Sequence, residues 1–100
     1  MVFLHIVLLP VRADAPEELV GEVVNELNAL DQHIPFVQRA ACGRTVTQRG
    51  KQYTHALVVE LERQDQLPQY AEHPAHLAVL RKIGQIIGEE SLALDFEASA

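Results

Sequence analysis

The chain holds one cysteine, one methionine and no tryptophan, and its aromatic residues are two tyrosines and three phenylalanines. A lone Cys42 excludes an internal disulfide and any cysteine-rich zinc site, and it fits a reducing compartment. Basic charge is scarce as well. Eight Lys and Arg face fourteen Asp and Glu, a formal net charge of -6. Binding to a phosphate backbone or an anionic membrane surface needs surplus cations, so neither nucleic acid nor membrane is expected as a partner. No apolar run is long enough to cross a bilayer. The candidate at Met1 to Val11 is interrupted by His5 and Pro10 and has no positive region ahead of it, unlike a secretion signal. A cytoplasmic location is the expectation.

What is present is 48% hydrophobic content in 100 residues, enough for a single domain spanning residues 1–100 around one core. Surface scaling gives a monomer of this size about 5,700 Å² of exposed surface and only modest stability. Val2 to Val11 is apolar at both parities, with Val2, Leu4, Ile6 and Leu8 on one side and Phe3, Val7, Leu9 and Val11 on the other, which predicts a strand buried on both faces. Asp14 precedes Glu17 by three, a capping-box spacing with Pro16 in the first turn. Leu19, Val20, Val23, Val24, Leu27 and Leu30 then recur at helical spacing as far as Asp31.

Phe36 to Gly43 and Tyr53 to Leu61 read as two strands of a hairpin, joined by Arg44 to Gln52. That hairpin carries Arg39, Arg44, Arg49 and Lys51 and no acidic residue between Gln32 and Val59. Two readings fit: solvated charges protecting a sheet edge, or a landing patch for an anionic ligand. A short helix over Gln64 to Ala71, a longer one over Pro74 to Gly88 and a last strand over Leu92 to Phe96 complete the chain, with Ala98 to Ala100 as a frayed tail. The order matches an α+β, ferredoxin-like, four-stranded antiparallel sheet with helices on one face. Since nothing remains to cover the other face, a second copy of the chain is the expected partner, with two sheets packed across a two-fold axis.

Four of the five histidines fall where side chains can converge, and His33 is expected on the surface. His5 and His55 lie on strands among apolar neighbours, His55 sharing parity with Tyr53 and Leu57. Each alone reads as a satisfied core residue, and two on adjacent strands are harder to explain that way. Pro74 makes His73 a helix cap or its neighbour and places His76 near the third helical position. There the positive end of the helix dipole disfavours imidazolium, which leaves His76 neutral, as a general base requires. Tyr70 and Tyr53 are phenols that can donate to a carbonyl oxygen as charge develops on it. Asp95 can hold one nitrogen of a histidine and fix its tautomer. The His73 and His76 pair with one distant cysteine is too sparse for a zinc site, so no metal is expected. No nucleophile elbow and no glycine-rich phosphate loop appears, and no cofactor is expected.

The segments HIVLLPV, YTHALVVEL, QYAEHPAHLAVL and LALDFE, in that order and spacing, resemble the stress-responsive A/B barrel domain (Dabb) family over nearly the whole chain. The resemblance implies a ferredoxin-like protomer and a homodimer whose sheets form an α/β barrel. One member, a plant polyketide cyclase, performs a cofactor-free aldol cyclisation of a linear poly-β-keto thioester. By that likeness His76 is the base, Tyr70 the carbonyl-polarising donor and Asp95 the orienter of His76. By the same likeness His5 and His55 are polar groups of the pocket, and His73 and Tyr53 stand beside them as candidate contacts for a small carbonyl-containing ligand. The first helix departs from that member, offering Val23, Val24 and Leu27 where the cyclase has aromatic pocket residues. The alternative is a non-catalytic structural dimer in which the same residues pack and cap. A cofactor-independent oxygenase is a third reading, resting on fold analogy alone.

Overall fold

The apolar run at the start of the chain becomes β1 (Val2–Leu9), the strand around which the sheet is built, in a computed structural model that describes residues 1–99. β3 (His55–Leu61) and β4 (Leu92–Ala98) flank β1 antiparallel, and β2 (Val37–Arg44) pairs with β3. The resulting order is β2-β3-β1-β4. Its register sorts side chains by parity. Phe3, Val7 and Leu9 lie across from Leu61, Leu57 and His55, while Leu4, Ile6 and Leu8 lie across from Phe96, Leu94 and Leu92.

Two helices, α1 (Glu17–Asn28) and α4 (Pro74–Ile86), cover the odd face of β1. Val23 and Leu27 of α1, and Val79, Ile83 and Ile86 of α4, recur every three or four residues and meet Phe3, Leu9, Leu57, Val59 and Leu61 in the buried core. Two short helices complete that layer: α2 (Leu30–His33) follows α1, and α3 (Leu67–Glu72) precedes α4. Lys82 of α4 reaches Glu26 and Glu22 of α1, an exposed tie that contributes little. His33 is exposed. No helix among the described residues is long and apolar enough to cross a membrane.

Several boundaries differ from the sequence expectation. Pro16, at φ -60° and ψ 125°, is itself the N-cap of α1, and no side chain caps that end. Asp14 therefore sits outside the helix and pairs with Arg12 at 3.5 Å. Proline fixes its own φ and has no N–H to be capped, so a helix can begin directly after it. β3 begins at His55 because Tyr53 is held in a turn, its N–H donating to the Gly50 carbonyl at 2.9 Å. A Cβ at Gly50 would lie 2.7 Å from the Tyr53 carbonyl oxygen, so only glycine fits there. β4 extends to Ala98, and Ala100 of the expected tail lies outside the described residues.

The even face of the sheet has no helix. Leu92, Leu94 and Phe96 are 41%, 56% and 48% exposed, and Leu4, Ile6 and Leu8 beside them are only half-buried. The accessible surface is 6365 Å², about a tenth above the scaling expectation for a closed monomer.

One side chain locks the hairpin onto α1. Asn28 donates its amide to the Cys42 carbonyl at 2.9 Å and the Val24 carbonyl at 3.0 Å, while its own oxygen accepts from the Cys42 N–H at 3.0 Å. Asn28→Ala should lower the unfolding free energy by about 1–3 kcal/mol, read from urea denaturation. An unchanged midpoint would mean that water replaces the clamp without loss.

Candidate functional site

The segment Tyr70 to His76 folds as two helices meeting at a corner. Pro74 cannot continue α3 and holds His73 extended, at φ -65° and ψ 136°, so the chain turns and restarts as α4. The His73 Nδ1 accepts from the Ala75 N–H at 3.1 Å, capping α4. The Nδ1 of this candidate ligand contact is thereby committed to the helix end. His76, one turn in, donates its Nδ1–H back across the corner to the Ala71 carbonyl at 2.9 Å. That bond fixes the tautomer and leaves Nε2 with a lone pair whenever the ring is neutral.

Tyr70 is wedged between two imidazoles. Its ring lies 4.5 Å from that of His76, tilted by 42°, and 5.5 Å from that of His5, edge-on at 65°. His5 stands at the middle of β1 on the helix-covered face, directly across from Asp95 of β4, and its Nδ1 lies 2.5 Å from the Asp95 carboxylate. Asp95 therefore orients His5 and not His76, correcting the expected pairing. The cross-strand register dictates this, because a residue on β4 meets its β1 opposite before it can reach a helix. Tyr70 is 1% exposed, and its hydroxyl has no hydrogen-bond partner among the described residues. A buried donor without a partner costs about 1–3 kcal/mol.

Burial pushes the Tyr70 hydroxyl well above its ordinary value of 10.0, so the phenol stays protonated and has a proton to donate. His76 is held below its ordinary 6.5, first by burial and also by the charge of His5, against the opposing Ala71 hydrogen bond. A neutral imidazole and a protonated phenol thus lie side by side near neutral pH.

His55 and Tyr53 do not join this group. His55 shares the helix-covered face with His5 but pairs with Leu9, four residues further along β1 and about 13 Å away at the rise of a strand. It is 5% exposed and its Nδ1 lies 2.7 Å from the Thr54 hydroxyl. Tyr53, in its turn, lines a hollow of about 390 Å³ at the end of the sheet, with Leu8, Gly43 and Ala56 of the open face and with Arg44 and His55. Among the described residues no three His, Cys, Asp or Glu side chains gather as metal ligands. No sequence signal points to the Ala71 carbonyl, since a backbone acceptor carries no residue identity.

Both lowered histidines make the fold acid-sensitive. His55 is held below 6.5 by burial and then by the charge of Arg44, and His76 as described. The unfolded chain restores each to 6.5, so below that pH it binds more protons than the folded one. Stability is full above 6.5 and falls as the pH drops through the lowered folded values. Between about pH 7.5 and about pH 5 the thermal midpoint should fall, and His55→Gln with His76→Gln should flatten that slope. An identical slope in the double variant would assign the loss to other groups.

A family model for the stress responsive A/B barrel domain (Dabb) matches residues 3–98. A stress-response A/B barrel domain-containing protein of Arabidopsis thaliana is 28% identical over 94 residues, which is 94% of this chain and 36% of that protein. The chain thus spans little more than a third of that relative's length. Among solved structures, a dimeric ferredoxin-like protein from Thermobifida fusca is similar at TM-score 0.83 and 26% identity, over 98% of this chain and 92% of that one. The hydroxynitrile lyase of Passiflora edulis is similar at TM-score 0.82 and 14% identity, over 95% and 91% of the two chains, a likeness of fold alone. The family model runs almost from end to end and the similar solved structures share the fold, and the chain belongs to the stress-responsive A/B barrel domain family.

Proposed function

We propose that the protein works as a cytoplasmic homodimer in which each protomer binds a small carbonyl compound and moves a proton on it. The buried, unpartnered hydroxyl of Tyr70 between two anchored imidazoles carries this reading. A β-dicarbonyl substrate is the simplest fit. His76 Nε2 takes the proton from the carbon between the carbonyls, and the electron pair moves onto one carbonyl oxygen. That oxygen accepts a hydrogen bond from Tyr70, and the resulting enolate can be reprotonated or attack a second carbonyl, as in a cyclase. Burial first, with His5 of the Asp95 pair adding to it, disfavours charge on His76 and so keeps the base neutral. The hydroxynitrile lyase of the same fold supports the reading, since it shows that this architecture can house a lyase. The single half-buried Cys42, its thiol pushed up to about 11 by burial, fits a reducing compartment.

A second reading has its own observation. Tyr70 is only 1% exposed, which suits a packed stack with no turnover, in a protein whose role is structural. The two separate in an exchange experiment. Acetylacetone in D₂O, followed by NMR, should lose its central protons faster with the protein than without. Tyr70→Phe keeps the ring and removes the donor, and should slow exchange by about a hundredfold or more. His76→Asn should slow it by about as much. No acceleration, or equal rates in all three proteins, would leave the structural reading in place.

The homodimer rests on the open face. Leu92, Leu94 and Phe96, with Leu4, Ile6 and Leu8, form a contiguous apolar surface on the face that no helix among the described residues covers, and the Thermobifida fusca relative is described as dimeric. Light scattering should give twice the 11.1 kDa of one chain. Leu94→Glu with Phe96→Glu should return the monomer mass, whereas a wild-type monomer would contradict the assembly.

A further inference from the structure

The Tyr70 group meets the sheet at the middle of β1, and a separate opening lies toward the end of that strand. A cavity of about 550 Å³ lies where the start of α1 and the segment after β1 pass over the ends of β2 and β3. That is within the range of small-molecule sites. Val11, Ala15 and Val20 give it an apolar wall, and Arg44, Thr54 and His55 meet there as the polar side.

The four charged or titratable groups of that lining are differently occupied. Arg12 donates to the Gln85 carbonyl at 2.8 Å and faces Asp14, so its guanidinium is engaged. Arg44 has no ion-pair partner among the described residues. It lies directly across the β2–β3 pairing from His55, on the side of the sheet that the cavity occupies. The Thr54 hydroxyl accepts from the Val11 N–H, lies within hydrogen-bond distance of the Leu9 carbonyl, and anchors His55 Nδ1 at 2.7 Å. When the Thr54 proton goes to Leu9, His55 donates from Nδ1 and its Nε2 is left to accept. When Thr54 donates to Nδ1, Nε2–H is the donor. Glu17, at the start of α1, also lines the cavity. One uncommitted cation against one carboxylate does not suit a dianion, whereas a single negative charge matches the planar fork of Arg44.

We propose that this cavity binds a monoanionic organic acid, its carboxylate held by Arg44 beside His55 and its apolar body laid against Val11, Ala15 and Val20. The site lies about 13 Å along β1 from His5 and does not depend on any chemistry at Tyr70. The arrangement also gives the basic β2–β3 hairpin a use beyond edge protection, since one of its four cations faces a cavity.

Octanoate is a direct probe, with octan-1-ol as its uncharged counterpart and inorganic phosphate as a charge without an apolar body. NMR shifts of the His55 ring and of the Val20 and Gly21 amides report on the lining without any turnover, so the outcome is independent of the exchange experiment on acetylacetone. Octanoate should shift these signals saturably, and octan-1-ol and phosphate should bind at least about tenfold more weakly. Arg44→Gln, at an exposed strand end, should weaken octanoate by about tenfold or more. Equal binding of the alcohol, phosphate binding as strong as octanoate, an unaffected Arg44→Gln protein, or shifts at Tyr70 and His76 instead would each overturn the proposal.

Discussion

The two-sided apolar character of β1 is the constraint on which the rest of this molecule depends. A central strand must satisfy both faces at once, and a one-residue slip would exchange them. Its odd residues Phe3 and Leu9 are fixed by the helix-covered core. Its even residues Leu4, Ile6 and Leu8 then have no choice but to face outward, where they align with Leu92, Leu94 and Phe96 of β4. The same register places His5, the polar interruption of β1, on the helix side and opposite Asp95. Association and site geometry are therefore two readings of one strand.

The proline corner supplies the second half of the site. A continuous helix from Leu67 to Ile86 would send Tyr70 and His76 to different faces, since six residues at 100° each leave them far apart around the axis. The break at Pro74 folds α3 against α4, and the Ala71 carbonyl closes the turn by accepting from His76. What results is a buried hydroxyl with nothing to bond, at a cost of about 1–3 kcal/mol in a domain whose stability is small. In the proposed reading, the carbonyl oxygen of the substrate offsets that cost.

Much of the fold was legible because periodicity reports which side of an element is apolar. The strand at Val2, the helices through Val23 and Leu27 and through Ile83, and the uncovered sheet face all follow from spacing alone. Pairing was less accessible. That Asp95 meets His5 depends on the β1–β4 register, which no local pattern encodes. That His55 stands apart from His76 depends on position along the strand, whereas parity reports only the face. The capping expectation at Asp14 failed because Pro16 moved the helix start two residues on, and Tyr53 left the strand because Gly50 permits a tight turn. The basic hairpin was visible as composition, but only its position beside a cavity distinguishes Arg44 from Arg39, Arg49 and Lys51.

The most direct test of the central claim, that His76 is a neutral base paired with a protonated Tyr70 and an Asp95-held His5, is nitrogen NMR of labelled histidines across a pH series, with and without acetylacetone. His76 is predicted to appear as the Nδ1–H tautomer, to titrate below 6.5, and to shift together with His5 when the diketone is added while His55 stays still. A His76 that titrates at or above 6.5, or that ignores the diketone while His55 responds, would contradict the account.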